Sequence, residues 1–168
     1  NVIKYGLQKN KKLKGYKVEN VITNDRVKIK SDVPILTENQ IQCNKPDLFV
    51  HDLKENEITL IEVGITNKVS LPTTEITKSR KYELLAGELR SMNPGAKVKQ
   101  VPVVLAWDAL VTKHFTRHMA KLGLNERIQA YIQTEVLRRT CQSVLIDFRN
   151  RGDFLPEMEE LFLLSEEV

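Results

Sequence analysis

Hydrophobic and polar positions along this chain change period several times, and the changes mark its elements. Over residues 16–23 and 27–37, apolar and β-branched residues alternate or run together on either side of Asn24-Asp25, which predicts two strands. Residues 47–53 and 58–65 predict two more, joined through Lys54-Glu55-Asn56 as a hairpin. Pro72, with Thr73 and Thr74, opens a helix that runs to Met92, where Asn93-Pro94-Gly95 stops it. Residues 98–107 are almost continuously apolar and predict a central buried strand. A helix over 112–122 ends at Gly123. A long amphipathic helix over 125–148 then carries Ile128, Ile132, Val136, Leu137, Val144 and Leu145 at its apolar positions. A short helix is expected early in residues 1–14, ahead of a lysine-rich loop, and another over 154–164.

Strands first, then helix, strand and helices, predict an α/β (mixed α+β) domain with a central mixed sheet flanked by helices. At 168 residues, 41% hydrophobic and 29% charged, the chain suits one domain with a real core. It divides into a basic N-terminal segment (1–15), a core (16–110) and C-terminal helices (111–168). No apolar run is long enough to span a bilayer and no signal peptide is visible, so no membrane partner is expected. The first residue is not Met, which suggests a piece of a larger protein. Cys43 and Cys141 stand alone, without the paired spacing of a zinc or disulfide scaffold, and fit a reducing compartment.

The net charge of +4 is unevenly spread. Residues 1–30 hold eight lysines and Arg26 against Glu19 and Asp25, whereas residues 153–168 hold six acids and no base. A basic front end suits a polyanion such as nucleic acid. Lys9, Lys11, Lys12 and Lys14 are its candidate phosphate contacts.

The candidate chemistry lies in the middle of the chain. With the hairpin centred on Lys54-Glu55, the residue numbers of cross-strand partners sum to 109, and Asp47 falls opposite Glu62. Side chains directly opposed on one sheet face have Cβ atoms about 5 Å apart, which lets two carboxylates share a divalent ion. Mg²⁺ or Mn²⁺, with oxygen ligands at roughly 2.1 Å, is the natural occupant. The carbonyl of Val63 can add a further oxygen. A one-residue slip in register would put the acids on opposite faces. Taken singly, most of these charged residues read as surface; Glu62 is different, because it interrupts an otherwise apolar strand.

Lys78, Tyr82, Leu85, Leu89 and Met92 recur at helical spacing and share a face whose later members are apolar. Lys78 and Tyr82 should therefore point at the sheet. Lys81 should lie to one side, where it suits a phosphate backbone. That favours Lys78 as the catalytic lysine, with Lys81 as a DNA contact.

The same residues resemble the PD-(D/E)xK nuclease superfamily, and more narrowly the restriction-like endonuclease domain of site-specific non-LTR retrotransposons. The similarity rests on residues 27–37 (VKIKSDVPILT), Asn44-Lys45-Pro46-Asp47-Leu48, residues 60–65 (LIEVGI), Lys78-Ser79-Arg80-Lys81-Tyr82, residues 98–104 (VKQVPVV) and the helix around 133–145. It covers about residues 16–148. The resemblance implies a restriction-endonuclease-like core, with Asp47 and Glu62 as metal-binding acids and Lys78, Lys81 and Tyr82 as the KxxKY-like catalytic signature. It also implies Asp32 as a supporting acid. Gly64 stands where the wider superfamily has lysine, so the lysine must come from the helix, as is typical of the retrotransposon subgroup.

The activity that the resemblance implies is hydrolytic nicking of double-stranded target DNA, leaving a 3′-hydroxyl that primes reverse transcription and a 5′-phosphate. The expected partners are the target DNA, upstream reverse transcriptase and zinc-knuckle regions of a parent protein, and its element RNA, in the nucleus. Arg80 joins Lys81 as a DNA contact.

Two competing readings are a nuclease-like fold that has lost catalysis and binds nucleic acid or protein, and another PD-(D/E)xK enzyme such as a resolvase or restriction enzyme. Outside the main set, His51 shares a strand face with Asp47 and can support the site. His114 and His118 have zinc-binding spacing, but the sequence offers no third ligand beside them. Trp107 reads as core rather than a base-stacking platform.

Overall fold

The computed structural model describes residues 20–151. Five strands form one mixed sheet in chain order: β1 (Val21–Thr23), β2 (Val27–Ser31), β3 (Leu48–Asp52), β4 (Glu57–Thr66) and β5 (Lys97–Ala106). The first four pair antiparallel, and β4 pairs parallel with β5. Turn chemistry explains the hairpins. Asn24 Oδ1 accepts the amides of Arg26 and Val27 between β1 and β2, and Asp52 Oδ1 accepts those of Lys54 and Glu55 between β3 and β4. The second turn sets the expected register: Leu48 faces Ile61 and Asp52 faces Glu57, each pair summing to 109.

Period-two alternation divides the core between the two sheet faces. Phe49, Ile58 and Leu60 meet Tyr82, Leu85, Ala86 and Leu89 on one face. Ile61, Val103 and Leu105 meet Phe115 and Met119 on the other. The parallel crossover on the first face is made by α1 (Leu71–Arg80) and α2 (Glu83–Met92). On the second face lies α3 (Phe115–Lys121), with α4 (Glu126–Arg151) beyond it.

Several expected elements differ in extent. Of the strand expected over 16–23, residues 16–19 lie outside the described residues, as do the helices expected within 1–14 and over 154–164. The strand expected over 27–37 stops at Ser31 because Asp32 turns into the left-handed region (φ 55°). The loop that follows is anchored by Ile35 in the core and by Asn39, whose amide and side chain donate to Glu88.

The strand expected to be central is β5, at the end of the strand order. It is buried nonetheless, because helices cover both faces and Val111 bridges to Leu105 along its outer side. Trp107 is about half exposed rather than core. On α4, Ile132 and Val136 pack against the core, while Ile128, Leu137 and Val144 are exposed. The helix has 26 residues and is about 39 Å long.

Leu85 has no exposed surface and joins α2 to the sheet. Leu85→Ala is expected to cost about 3 kcal/mol of stability. Urea denaturation measures this as a lower midpoint at unchanged slope.

Candidate active site

Asp47 immediately precedes β3, and its Oδ2 accepts the Val63 amide at 2.7 Å. It therefore sits beside the strand segment that carries Glu62, as the register predicts. A strand residue's N–H and C=O point to the same edge, so the Val63 carbonyl also faces the Asp47 side. Asp32 supports this corner through its backbone: its amide donates to the Asp47 carbonyl at 3.0 Å. Its exposed carboxylate pairs with Lys45 Nζ at 2.9 Å.

Glu62 shares the face of Ile58 and Leu60 and is only 3% exposed. A buried carboxylate must be compensated locally, and three donors do so. Lys78 Nζ lies 2.9 Å and Lys81 Nζ 2.5 Å from Oε1, and the Tyr82 hydroxyl donates to Oε2 at 2.8 Å. The same hydroxyl is 2.8 Å from the Lys45 carbonyl, so its one hydrogen serves two acceptors. Burial pushes the Glu62 carboxyl up, but the hydrogen bonds from Lys81, Lys78 and Tyr82 outweigh it and hold the group below the ordinary glutamate value. The contact with Glu62 raises Lys81 in return, and burial together with Glu62 pushes the Tyr82 phenol up to about 12.

Lys81 does not lie to one side as expected. The helix predicted over 72–92 is broken between Arg80 and Glu83. The Tyr82 amide leaves the helical ladder to donate to Gln100 Oε1 on β5 at 3.1 Å, with Tyr82 at φ −111°, ψ 26°. The break seats the Tyr82 ring in the core. Lys81 then follows Lys78 at the three-residue spacing that makes helical neighbours. Of the apolar stripe, Leu85 and Leu89 are buried and Met92 is partly exposed.

Gly64 explains how Lys78 reaches the carboxylate. A Cβ at Gly64 would lie 2.5 Å from Lys78 Cε and 2.9 Å from Cδ, so the lysine stem occupies the space a side chain there would need. The sequence shows the glycine but not this socket. It gives no sign of Gln100, whose strand position carries no chemical cue, or of the Lys45 carbonyl, which no side-chain pattern reports.

His51 shares the face of Asp47 but lies four residues along β3, roughly 13 Å away, edge-on to Phe49. Arg80 is exposed at the end of α1. Lys9, Lys11, Lys12 and Lys14 lie outside the described residues. A groove of about 580 Å³ runs along α1 to the two lysines, with Ser70, Thr73, Thr74 and Thr77 on its walls. The oxygen-only set of Asp47, Glu62 and the Val63 carbonyl suits a hard divalent cation. Comparison with protein-family models and with curated proteins gives no match.

A carboxyl held low in the folded state contributes stability that is fully present above its unfolded pKa and lost as pH falls through its folded pKa. The stability gap between wild type and Glu62→Gln is therefore expected to be full at neutral pH and to shrink as pH drops below the ordinary value of 4.5. Urea midpoints across that range measure it, and a gap independent of pH would refute this account of Glu62.

Proposed function

We propose that this chain is a metal-dependent DNA endonuclease with a restriction-endonuclease-like core, the nicking domain of a larger non-LTR retrotransposon protein acting in the nucleus. The convergence of Asp47, Glu62, Lys78, Lys81 and Tyr82 at one end of a hairpin carries this reading. Asp47, Glu62 and the Val63 carbonyl would hold Mg²⁺ or Mn²⁺, which when bound polarises a phosphate and acidifies water.

The chain's own residues supply the rest. Two ammonium groups meet one carboxylate at Glu62, leaving one positive charge beyond what Glu62 neutralises. That surplus faces the negative charge that develops on a phosphate under attack. Lys78, the less exposed lysine, orients the attacking water, and Lys81 contacts the strand being cut. Tyr82 is a positioning residue that holds Glu62 in place. The hydroxyl-lined groove along α1 suits a phosphate backbone, whose contacts fix position rather than sequence. Double-stranded target DNA is the substrate. Upstream reverse transcriptase and zinc-knuckle regions and the element RNA are the remaining partners, with the cut 3′ end priming reverse transcription.

One observation favours a second reading, a catalytically inactive nucleic-acid-binding or protein-interaction module. Both Glu62 oxygens already have protein donors, so the cluster can serve as a closed polar core.

Plasmid nicking with Mg²⁺ or Mn²⁺ in low salt separates the two. Wild type is expected to nick, Asp47→Ala and Glu62→Ala to fall to background, and Lys78→Ala to lose on the order of 100-fold. A wild type that never nicks would leave the inactive module, and variants that all nick as well as the wild type would overturn the assignment of these residues.

The Gly64 socket makes a sharper prediction. Gly64→Ala is expected to cost about 1–3 kcal/mol of stability without unfolding the chain, because the displaced stem belongs to one of the three donors of the buried Glu62 carboxylate. Its nicking should nonetheless drop toward the Lys78→Ala level. Parallel urea denaturation and nicking assays check both halves.

A further inference from the structure

A second polar cluster stands apart from Glu62 and joins α1 to α3 beside the outer side of β5. Glu75, on the inner side of α1, is only 6% exposed. Its Oε1 accepts the Thr112 hydroxyl at 2.7 Å and lies 3.3 Å from His118 Nδ1. No hydrogen bond joins the last pair: His118 Nδ1 is buried and has no hydrogen-bond partner among the described residues. A nitrogen that should need a partner thus lies beside a carboxylate without donating to it.

That separation matches two ligands on neighbouring corners of a metal tetrahedron. With arms of about 2.0–2.1 Å, such corners are roughly 3.3 Å apart, and in an ideal tetrahedron each lone-pair axis is turned about 35° from the line to the other ligand, too far for a good hydrogen bond. The second observation is a neighbouring histidine at the spacing noted in the sequence. His114 precedes α3, its ring centroid is 6.4 Å from that of His118, and it lines a cavity of about 640 Å³ together with Glu75 and Thr112. Among the described residues no three His, Cys, Asp or Glu side chains already stand at metal-holding spacing, so His114 has to turn inward. Burial, which favours neutral His118, leaves an imidazole lone pair available.

We propose that Glu75 Oε1 and His118 Nδ1 bind a zinc-class transition metal, with His114 turning in from the cavity as a third ligand. The chemistry differs from that of the Asp47–Glu62 site: imidazole with one carboxylate selects zinc-like ions, and all-oxygen sets select Mg²⁺ or Mn²⁺. The ion would tie α1, which carries Lys78, to α3. It leaves a fourth position open toward the cavity.

Equilibrium dialysis against Zn²⁺, with metal analysis and thermal melting, tests this. Wild type and Asp47→Ala are each expected to retain one zinc per chain and to melt higher with it. His118→Ala and Glu75→Gln are expected to lose both effects, and His114→Ala to weaken binding at least ~10-fold, the lower end of the cost of losing even an outer-shell partner.

Cobalt substitution of the wild type guards against variants that fail to fold. Intense visible bands of a four- or five-coordinate nitrogen–oxygen set are expected. Weak octahedral absorption, no zinc in the wild type, zinc lost in Asp47→Ala, or full zinc in both His118→Ala and Glu75→Gln would each overturn the proposal.

Discussion

One buried carboxylate organises this molecule. Glu62 sits on an apolar strand face at 3% exposure, and a charge in that position is costly unless donors surround it. Its neighbours are arranged to supply them. The crossover helix is broken so that Tyr82 can turn into the core while Lys78 and Lys81 reach the same oxygen. Gln100 takes up the amide that the break releases. Gly64, two residues beyond Glu62 on the same face, leaves room for the lysine stem. Each of these local irregularities is unfavourable or unexplained alone, and together they compensate one charge.

The same compensation gives the site its chemical character. A carboxylate held by two ammonium groups and a phenol is ionised, oriented and enclosed by positive charge. The hairpin brings Asp47 to Val63, the residue after Glu62, whose amide holds it. The arrangement concentrates carboxylates and cationic donors at one sheet end, near the α1 groove that Lys78 and Lys81 line. A structural polar core and a phosphodiester-cleaving site can both be built from these parts. They differ in whether the donors yield when an ion or a phosphate enters.

Much of the fold was legible in the sequence, for local reasons. Period-two alternation marks β3 and β4, and Asp52 at the hairpin start makes the turn that sets the register. The placing of Asp47 beside Val63, next to Glu62 in the chain, follows from that register. The extent of β2, the break within the crossover helix and the half-exposed state of Trp107 were not legible. Asp32 ends β2 through a left-handed backbone turn that residue type permits but does not demand. The helix break depends on Gln100, 18 residues further along the chain, and no window of local periodicity contains that contact.

The sequence by itself therefore determined the mixed sheet and helices, the hairpin register and the presence of two acids and two lysines in that neighbourhood. These depend on side-chain period and turn chemistry, which act over a few residues. Only the tertiary structure decided that both lysines serve Glu62, that Gly64 is the socket for Lys78, and that Glu75 lies 3.3 Å from His118. Those facts depend on which surfaces meet once helices pack on the sheet. Burial then fixes the outcome, because a charge removed from water takes the nearest donors whatever their distance along the chain.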